Sequence, residues 1–292
     1  MRVAITGGTG FIGRALVAHL AAIGHECTVL TRHPQRATLP PGIAVRPVGA
    51  LPECDAVIHL AGESVVGWWT PWKRRAILRS RIDGTRRVVE AMPALRTPPR
   101  MLLSASAVGY YGHRPGEFLD EDSPPDPCAR FRSQVCQAWE AEARKAEPMG
   151  ARVALLRLGD VMALGGGFLG GLLLCYRAGG CRILGEPDSA LPWIALDDAV
   201  RLIAFALESE LRGPLNVVAP HAITQRTLAT TLAHRLGRCV RGRIPAGLLR
   251  CGLGEFSSAL LDDQRVVPQR ALDAGFRYTH PAWRSCLDTL FA

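Results

Sequence analysis

Met1-Arg2-Val3-Ala4-Ile5-Thr6-Gly7-Gly8-Thr9-Gly10-Phe11-Ile12-Gly13 decides how the rest of the chain is organised. Val3, Ala4 and Ile5 form a short apolar run of the length of a buried parallel strand. Beyond the glycines, Ile12, Leu16 and Leu20, with Ala15 and Ile23 beside them, recur at helical spacing, and Gly24 is a helix stop. The glycines therefore stand between a strand and a helix, the context that a phosphate-binding turn requires. Gly7 allows a tight exit from the strand, Gly10 lets a pyrophosphate approach the backbone, and Gly13 lets the helix pack close to the sheet. Free N–H groups at the helix start, with the helix dipole, hold the phosphates. Thr9, Phe11 and Ile12 complete the residues expected around a bound dinucleotide.

The 292 residues suffice for one large α/β unit with a small appendage, and 48% of them are hydrophobic, enough for a sizeable core. No apolar run is both long and uncharged enough to span a membrane, and no basic leader precedes the first strand, so a cytoplasmic protein is expected. The nine cysteines are scattered, without a Cys-x-x-Cys pair or a cluster with histidine, which points to reduced packing residues and no metal. A net charge of +9 raises nucleic-acid binding as an option. However, the arginines are spread along the chain, lysine occurs only at Lys73 and Lys145, and no dense basic tract is interleaved with aromatics. Neither a nucleic-acid nor a membrane partner is expected.

The second strand, Glu26 to Leu30, ends at Thr31-Arg32. An acidic residue at this strand end would hydrogen-bond a ribose 2′-hydroxyl, whereas a hydroxyl and a guanidinium suit a 2′-phosphate, so NADP is expected over NAD. A further strand, Asp55 to Gly62, ends in small residues. Leu60, Ala61 and Gly62 should pass near the cofactor, with His59 as packing or a strand-end contact. An aromatic loop, Trp68 to Lys73, leads into a helix that carries Arg81, a residue able to reach a phosphate or to face water. The strand Met101 to Leu103 leads to Ser104-Ala105-Ser106 and on to Tyr110-Tyr111-Gly112. A helix over 130–145, a strand over 153–158 and the sequence Gly159-Asp160-Val161 follow. Gly165-Gly166-Gly167 is expected to open a flexible flap, and Asp197 to cap a helix with Val200, Ile203, Ala204 and Leu207 as its apolar stripe. From Gly213 the chain is expected to form a smaller α-rich tail.

Taken together, Thr6 to Gly13, Leu30-Thr31-Arg32, Ile58 to Glu63, Ser80-Arg81, Ser104 to Gly112, Leu156 to Gly159, Trp193 to Asp198 and Gln264 to Phe276 resemble the extended, epimerase-like branch of the short-chain dehydrogenases/reductases. Within it, the chain is similar to a group labelled sugar-nucleotide epimerase or cell-division inhibitor. The resemblance implies an α/β fold: a Rossmann-type doubly wound parallel sheet over residues 1–212, substrate-side insertions around 160–195, and a C-terminal cap over 213–292. It implies NADP as cofactor, with Arg81 and the strand end near Asp160 beside it; Ser104 is expected at the cofactor as well. The group usually has an apolar residue where Asp160 stands. It further implies that Ser106 touches a substrate carbonyl or hydroxyl.

Hydride transfer in this superfamily normally uses Tyr-x-x-x-Lys on a helix, the tyrosine as acid/base and the lysine lowering its pKa. No such spacing exists here. The expected helix reads Phe131-Arg132-Ser133-Gln134-Val135-Cys136, with the lysine position at Val135 or Cys136. Two functions stay open. One is an NADP-dependent oxidoreductase or epimerase acting on a small molecule, such as a sugar nucleotide, through Ser106 and Tyr110. The other is a catalytically weak NADP(H)-binding redox sensor or partner-binding protein. A monomer and a homodimer fit the sequence equally.

Overall fold

A computed structural model describes residues 1–292. In chain order the first half comprises β1 (Arg2–Thr6), α1 (Phe11–Ala22), β2 (Glu26–Thr31), β3 (Ala44–Pro47), β4 (Ala56–His59) and α2 (Pro71–Ala91). Next come β5 (Met101–Ala107), β6 (Phe118–Leu119), α3 (Phe131–Arg144), β7 (Arg152–Leu158) and β8 (Asp160–Met162). The second half holds α4 (Gly167–Arg177), β9 (Ile183–Leu184), β10 (Ala190–Leu191), β11 (Trp193–Ala195), α5 (Leu196–Glu208), β12 (Gly213–Val217) and β13 (Ile223–Thr224). It closes with α6 (Gln225–Arg235), β14 (Arg243–Ile244), α7 (Ala246–Leu253), α8 (Ser258–Leu261), β15 (Arg265–Val266), α9 (Gln269–Asp273) and α10 (Trp283–Leu290). No helix is long and apolar enough to cross a membrane.

Seven parallel strands form the central sheet in the order β12-β7-β5-β4-β1-β2-β3. The chain builds one half outward from β1 through β2 to β3, then returns to β4 and builds the other half. The order thus reverses between β1 and β4, and a crevice opens at their carboxyl ends. Both faces of the sheet are covered, which is why Val3, Ala4 and Ile5 are all buried rather than alternating. Helices α1 and α5 cover one face, burying Val3, Ile5, Leu16, Ile58, Leu103, Leu156 and Leu202 in the largest core. Helices α2 and α3 cover the other, over Ala4, Val57, Leu102 and Leu155.

A second core belongs to the cap. It joins Met162, Leu169, Leu173 and Trp193 to Leu228, Leu232, Trp283 and Leu287, with the Trp193 and Trp283 rings edge to face at 5.2 Å. The insertion at 160–195 is therefore half of the cap's core rather than an accessory to the sheet.

Four local expectations are corrected. The boundary between 212 and 213 falls too early, because Gly213–Val217 is the outermost strand of the main sheet, paired with Ala154 to Leu158. Ser104 and Ser106 lie inside β5, not beyond it. Gly165-Gly166-Gly167 does not open a flap, because Gly167 starts α4, whose Leu169, Leu172, Leu173 and Tyr176 are buried at helical spacing. Asp197 is not the cap of α5; Ala195 holds that position. The buried Asp198 next to it accepts from the N–H groups of Thr279 and His280 and ties α5 to the C-terminal segment.

Candidate cofactor cleft

The turn after β1 is shaped by close approach. Gly7 has φ +73°, and a Cβ there would lie 2.7 Å from the Leu60 carbonyl carbon, so the turn and the end of β4 touch at the crevice. A Cβ on Gly13 would lie 2.1 Å from the Gly7 carbonyl oxygen, so only glycine lets α1 sit this close. Gly10 caps α1, is exposed, and supplies no side-chain hydrogen bond to the helix start; the first turn contains no acidic residue. The leading N–H groups of α1, at Phe11, Ile12 and Gly13, thus point from an uncapped, positive helix end into the crevice, with Thr9 half-buried beside them. On the far side, the Phe11 ring packs against Gly166 and Gly167, where Cβ atoms would meet it at 2.9 and 3.0 Å.

Thr31 ends β2 and its hydroxyl accepts from the His33 N–H at 3.4 Å. Arg32 is exposed and makes no ion pair. Its field reaches Glu63, whose carboxyl is held below its usual range first by a 2.7 Å hydrogen bond from Lys73 and further by Arg32 and Arg81. Arg81 reaches up from α2. It donates to the Glu63 carbonyl at 3.0 Å, stacks 5.0 Å from the Trp139 ring centroid, and lies where a Cβ on Gly62 would meet its guanidinium at 3.2 Å. Its charge has no carboxylate hydrogen-bonded to it, so this cation remains free for an anionic group beside Leu60, Ala61 and Gly62. Cradle, Arg32 and Arg81 together fit a phosphorylated dinucleotide: donors for a pyrophosphate at one point and free cations on either side.

Several sequence-predicted residues lie elsewhere. His59 is buried at 1% exposure on the α2 side of the sheet, with Nδ1 sharing a 2.6 Å hydrogen bond with the Thr6 hydroxyl. Burial, with Arg81 adding, pushes its pKa down to about 4, so it is a neutral residue packed beneath the strand end. Ser104 is fully buried on the same side. Ser106, also buried, donates to Glu140 Oε1 at 2.7 Å. That carboxylate accepts from Arg157 at both oxygens, 2.9 and 3.0 Å. Arg157 in turn donates to the Tyr111 hydroxyl at 2.9 Å and stacks 3.6 Å from the Tyr110 ring centroid. Tyr111 donates onward to Asn216, whose N–H donates to Glu121. Ser106 and Tyr110, expected as catalytic groups, are therefore parts of a buried polar network between α3, β5, β7 and β12. The Ser106 proton is committed to Glu140, and the Tyr110 ring to a cation.

Beyond β5 and β7 the sequence singles out Asp160 but not Arg132. Arg132, at the second position of α3, donates to the Ser258 carbonyl at 2.8 Å and to Asp262 at 3.1 Å, and packs on Gly109. Asp160 opens β8, two residues beyond the end of β7, with its N–H donating to the Pro192 carbonyl at 2.8 Å. Burial pushes its carboxyl up to about 7, against the field of Arg132. Phe131 packs edge-on to Trp69 at 5.4 Å beneath Arg74, and Trp69 also reaches Phe256 of the cap at 6.2 Å. The signals missed were a lone arginine in an apolar strand, Leu155-Leu156-Arg157-Leu158, and Glu140 on the sheet-facing side of α3.

Residues 3–218 match the family model described as NAD dependent epimerase/dehydratase, and residues 244–290 match a domain of unknown function, DUF1731. The chain belongs to the NAD-dependent epimerase/dehydratase family. The family model ends at 218, just past the last strand of the sheet. Among relatives, the human epimerase family protein SDR39U1 is 34% identical over 299 residues, covering 100% of both chains. The Bacillus subtilis epimerase family protein YfhF is 34% identical over 304 residues, covering 100% of this chain and 98% of its own. The crystal structure of human SDR39U1 isoform 2 with NADPH superimposes with a TM-score of 0.90 at 33% identity, covering 100% of this chain and 99% of that one. A Thermus thermophilus UDP-glucose 4-epimerase, crystallised with NAD, shares the fold at 23% identity and a TM-score of 0.77.

Proposed function

We propose that this epimerase/dehydratase-family chain binds NADP(H) in the crevice at the β1/β4 reversal and transfers hydride to and from a small carbonyl or hydroxyl compound. The observation that carries the reading is the uncapped start of α1 beside a free Arg32 at the end of β2. A guanidinium at that strand end offers charge-assisted hydrogen bonds to a 2′-phosphate, where a carboxylate would repel it. The NADPH bound to human SDR39U1, similar along its whole length, supports the same choice. The cofactor supplies the hydride. The chain's own residues orient the pyrophosphate on the α1 N–H groups, hold the far phosphates through Arg32 and Arg81, and shield the reaction behind the Trp69–Phe131–Phe256 contact.

The engagement of Ser106 and Tyr110 in the Glu140–Arg157 network favours a second reading, an NADP(H)-binding sensor without turnover. One experiment separates the two. Purified protein is mixed with NADPH, and the 340 nm absorbance is followed across a broad panel of carbonyl compounds. Binding with stoichiometric oxidation supports the enzyme, binding without oxidation across the panel supports the sensor, and no binding defeats both.

A further inference from the structure

Helix α7 inverts the usual pattern of a surface helix, which turns its apolar stripe inward and its charges out. Its one buried side chain is Leu249, while Leu248, Cys251 and Gly252, which share a face at i, i+3 and i+4, are exposed, Leu248 at 64%. Its single charge is Arg250. The end of α7 abuts a second exposed apolar segment, the loop that runs from β4 into α2. A Cβ on Gly254 would lie 3.9 Å from the Trp68 ring, and Arg74 is bound to Glu255 at 2.7 Å. Along this segment Val66, Trp68 and Trp72 are 69%, 61% and 74% exposed. Adjoining apolar surface of this kind marks a contact site rather than a solvated face. Its rim is cationic. Trp72, Arg75 and Arg79 follow at i, i+3 and i+7 along one exposed stripe of α2. Residues 63–79 and 246–258 together hold five cations and two carboxylates, and both carboxylates are taken, Glu63 by Lys73 and Glu255 by Arg74. Arg75, Arg79 and Arg250 are left exposed and unpaired.

We propose that this surface, formed by the loop at Val66–Trp72, the start of α2 and the open face of α7, docks the protein on an anionic lipid bilayer. Indole rings settle at the boundary between headgroups and acyl chains, where the ring is in an apolar medium and the N–H stays wet. Arginines behind them lay their stems along the apolar boundary and reach the headgroup phosphates. A second copy of the chain fits this surface less well, because a two-fold contact would set Arg75, Arg79 and Arg250 against their own counterparts. The sequence expectation of no membrane partner rests on the lack of a spanning helix, and surface docking needs none. The docking loop continues directly from the end of β4, so docking brings the rim of the crevice to the headgroups. The contact is independent of the proposed cofactor binding.

The test is flotation of the full chain with vesicles of phosphatidylcholine alone and of phosphatidylcholine with about 30% phosphatidylserine, at about 0.1 M salt. Wild type should bind the anionic vesicles at least tenfold more tightly than the neutral ones and lose most of that difference at about 0.5 M salt. Lipids brominated along the acyl chains should quench its tryptophan emission, since Trp68 and Trp72 enter the boundary. Arg75→Glu with Arg79→Glu should weaken binding at least tenfold, and Trp68→Ser with Trp72→Ser should weaken it and remove the quenching. Both pairs are of exposed or half-exposed backbone neighbours without buried partners, so urea unfolding should match wild type. Arg96→Glu with Arg100→Glu makes the same change of net charge at exposed positions beside the amino end of β5, at the opposite end of the sheet, and should bind like wild type. No binding of wild type to anionic vesicles, equal binding to neutral ones, or an equal loss in the Arg96 and Arg100 variant overturns the proposal. So does a wild-type dimer in sedimentation velocity that Trp68→Ser with Trp72→Ser abolishes, because the surface then belongs to a second copy.

Discussion

Arg157 and Glu140 show how a single buried ion pair organises the floor of the cleft. Their side chains are 2% and 6% exposed, so each charge depends on the other for its solvation. Removing one partner leaves the other uncompensated in a dry interior. Glu140→Gln is therefore expected to cost about 3–5 kcal/mol in urea unfolding, and a paired replacement, Glu140→Leu with Arg157→Met, should recover much of that loss. An undiminished stability in Glu140→Gln would contradict the network. His59 makes a second prediction, in acid. Its folded pKa of about 4 lies below the 6.5 of the unfolded chain. Above pH 6.5 both states are neutral and the group is silent. As the pH falls from 6.5 towards 4 the unfolded chain takes up a proton that the folded one refuses, and stability falls by roughly 1.4 kcal/mol per unit. His59→Gln should lose less stability than wild type between pH 7 and pH 4.5, measured by urea unfolding at each pH.

At the scale of elements, the strand–turn–helix at the amino end was legible because its constraints are local. A buried run, three glycines and a 3.6-residue stripe are all contained in residues 3 to 23. The contact that fixes Gly13 is a backbone oxygen only six residues away. Gly13→Ala should push α1 off the turn, cost about 1–3 kcal/mol by overpacking, and weaken NADPH binding at least tenfold. Wild-type affinity in that variant would mean that α1 does not hold the phosphates. The cap was far less legible. Its strands are two or three residues long and pair across great distances, as Phe118 does with Arg265 and Ile183 with Arg243, and such pairs leave no periodicity in sequence. The surroundings of Ser106 and Tyr110 were illegible for a related reason. Whether the Ser106 hydroxyl is free depends on Glu140, 34 residues further on in α3, and the Tyr110 ring is engaged by Arg157 from the neighbouring strand β7.

Across the whole molecule, the main sheet domain and the cap meet at the carboxyl ends of the strands. Arg132 and Arg130 of the sheet domain meet Asp262, Arg74 meets Glu255, and Gln264 donates to the Val108 and Gly112 carbonyls beside β5. Through these contacts the carboxyl-terminal third is fastened to the strand ends that line the crevice. The central claim is that this crevice selects a dinucleotide carrying an extra phosphate. The most direct measurement is the ratio of dissociation constants for NADH and NADPH, in wild type and in Arg32→Ala, at fixed ionic strength. The account predicts that wild type binds NADPH at least tenfold more tightly and that Arg32→Ala loses most of that preference while still binding NADH. Equal affinities in wild type, or a preference untouched by the substitution, would contradict it.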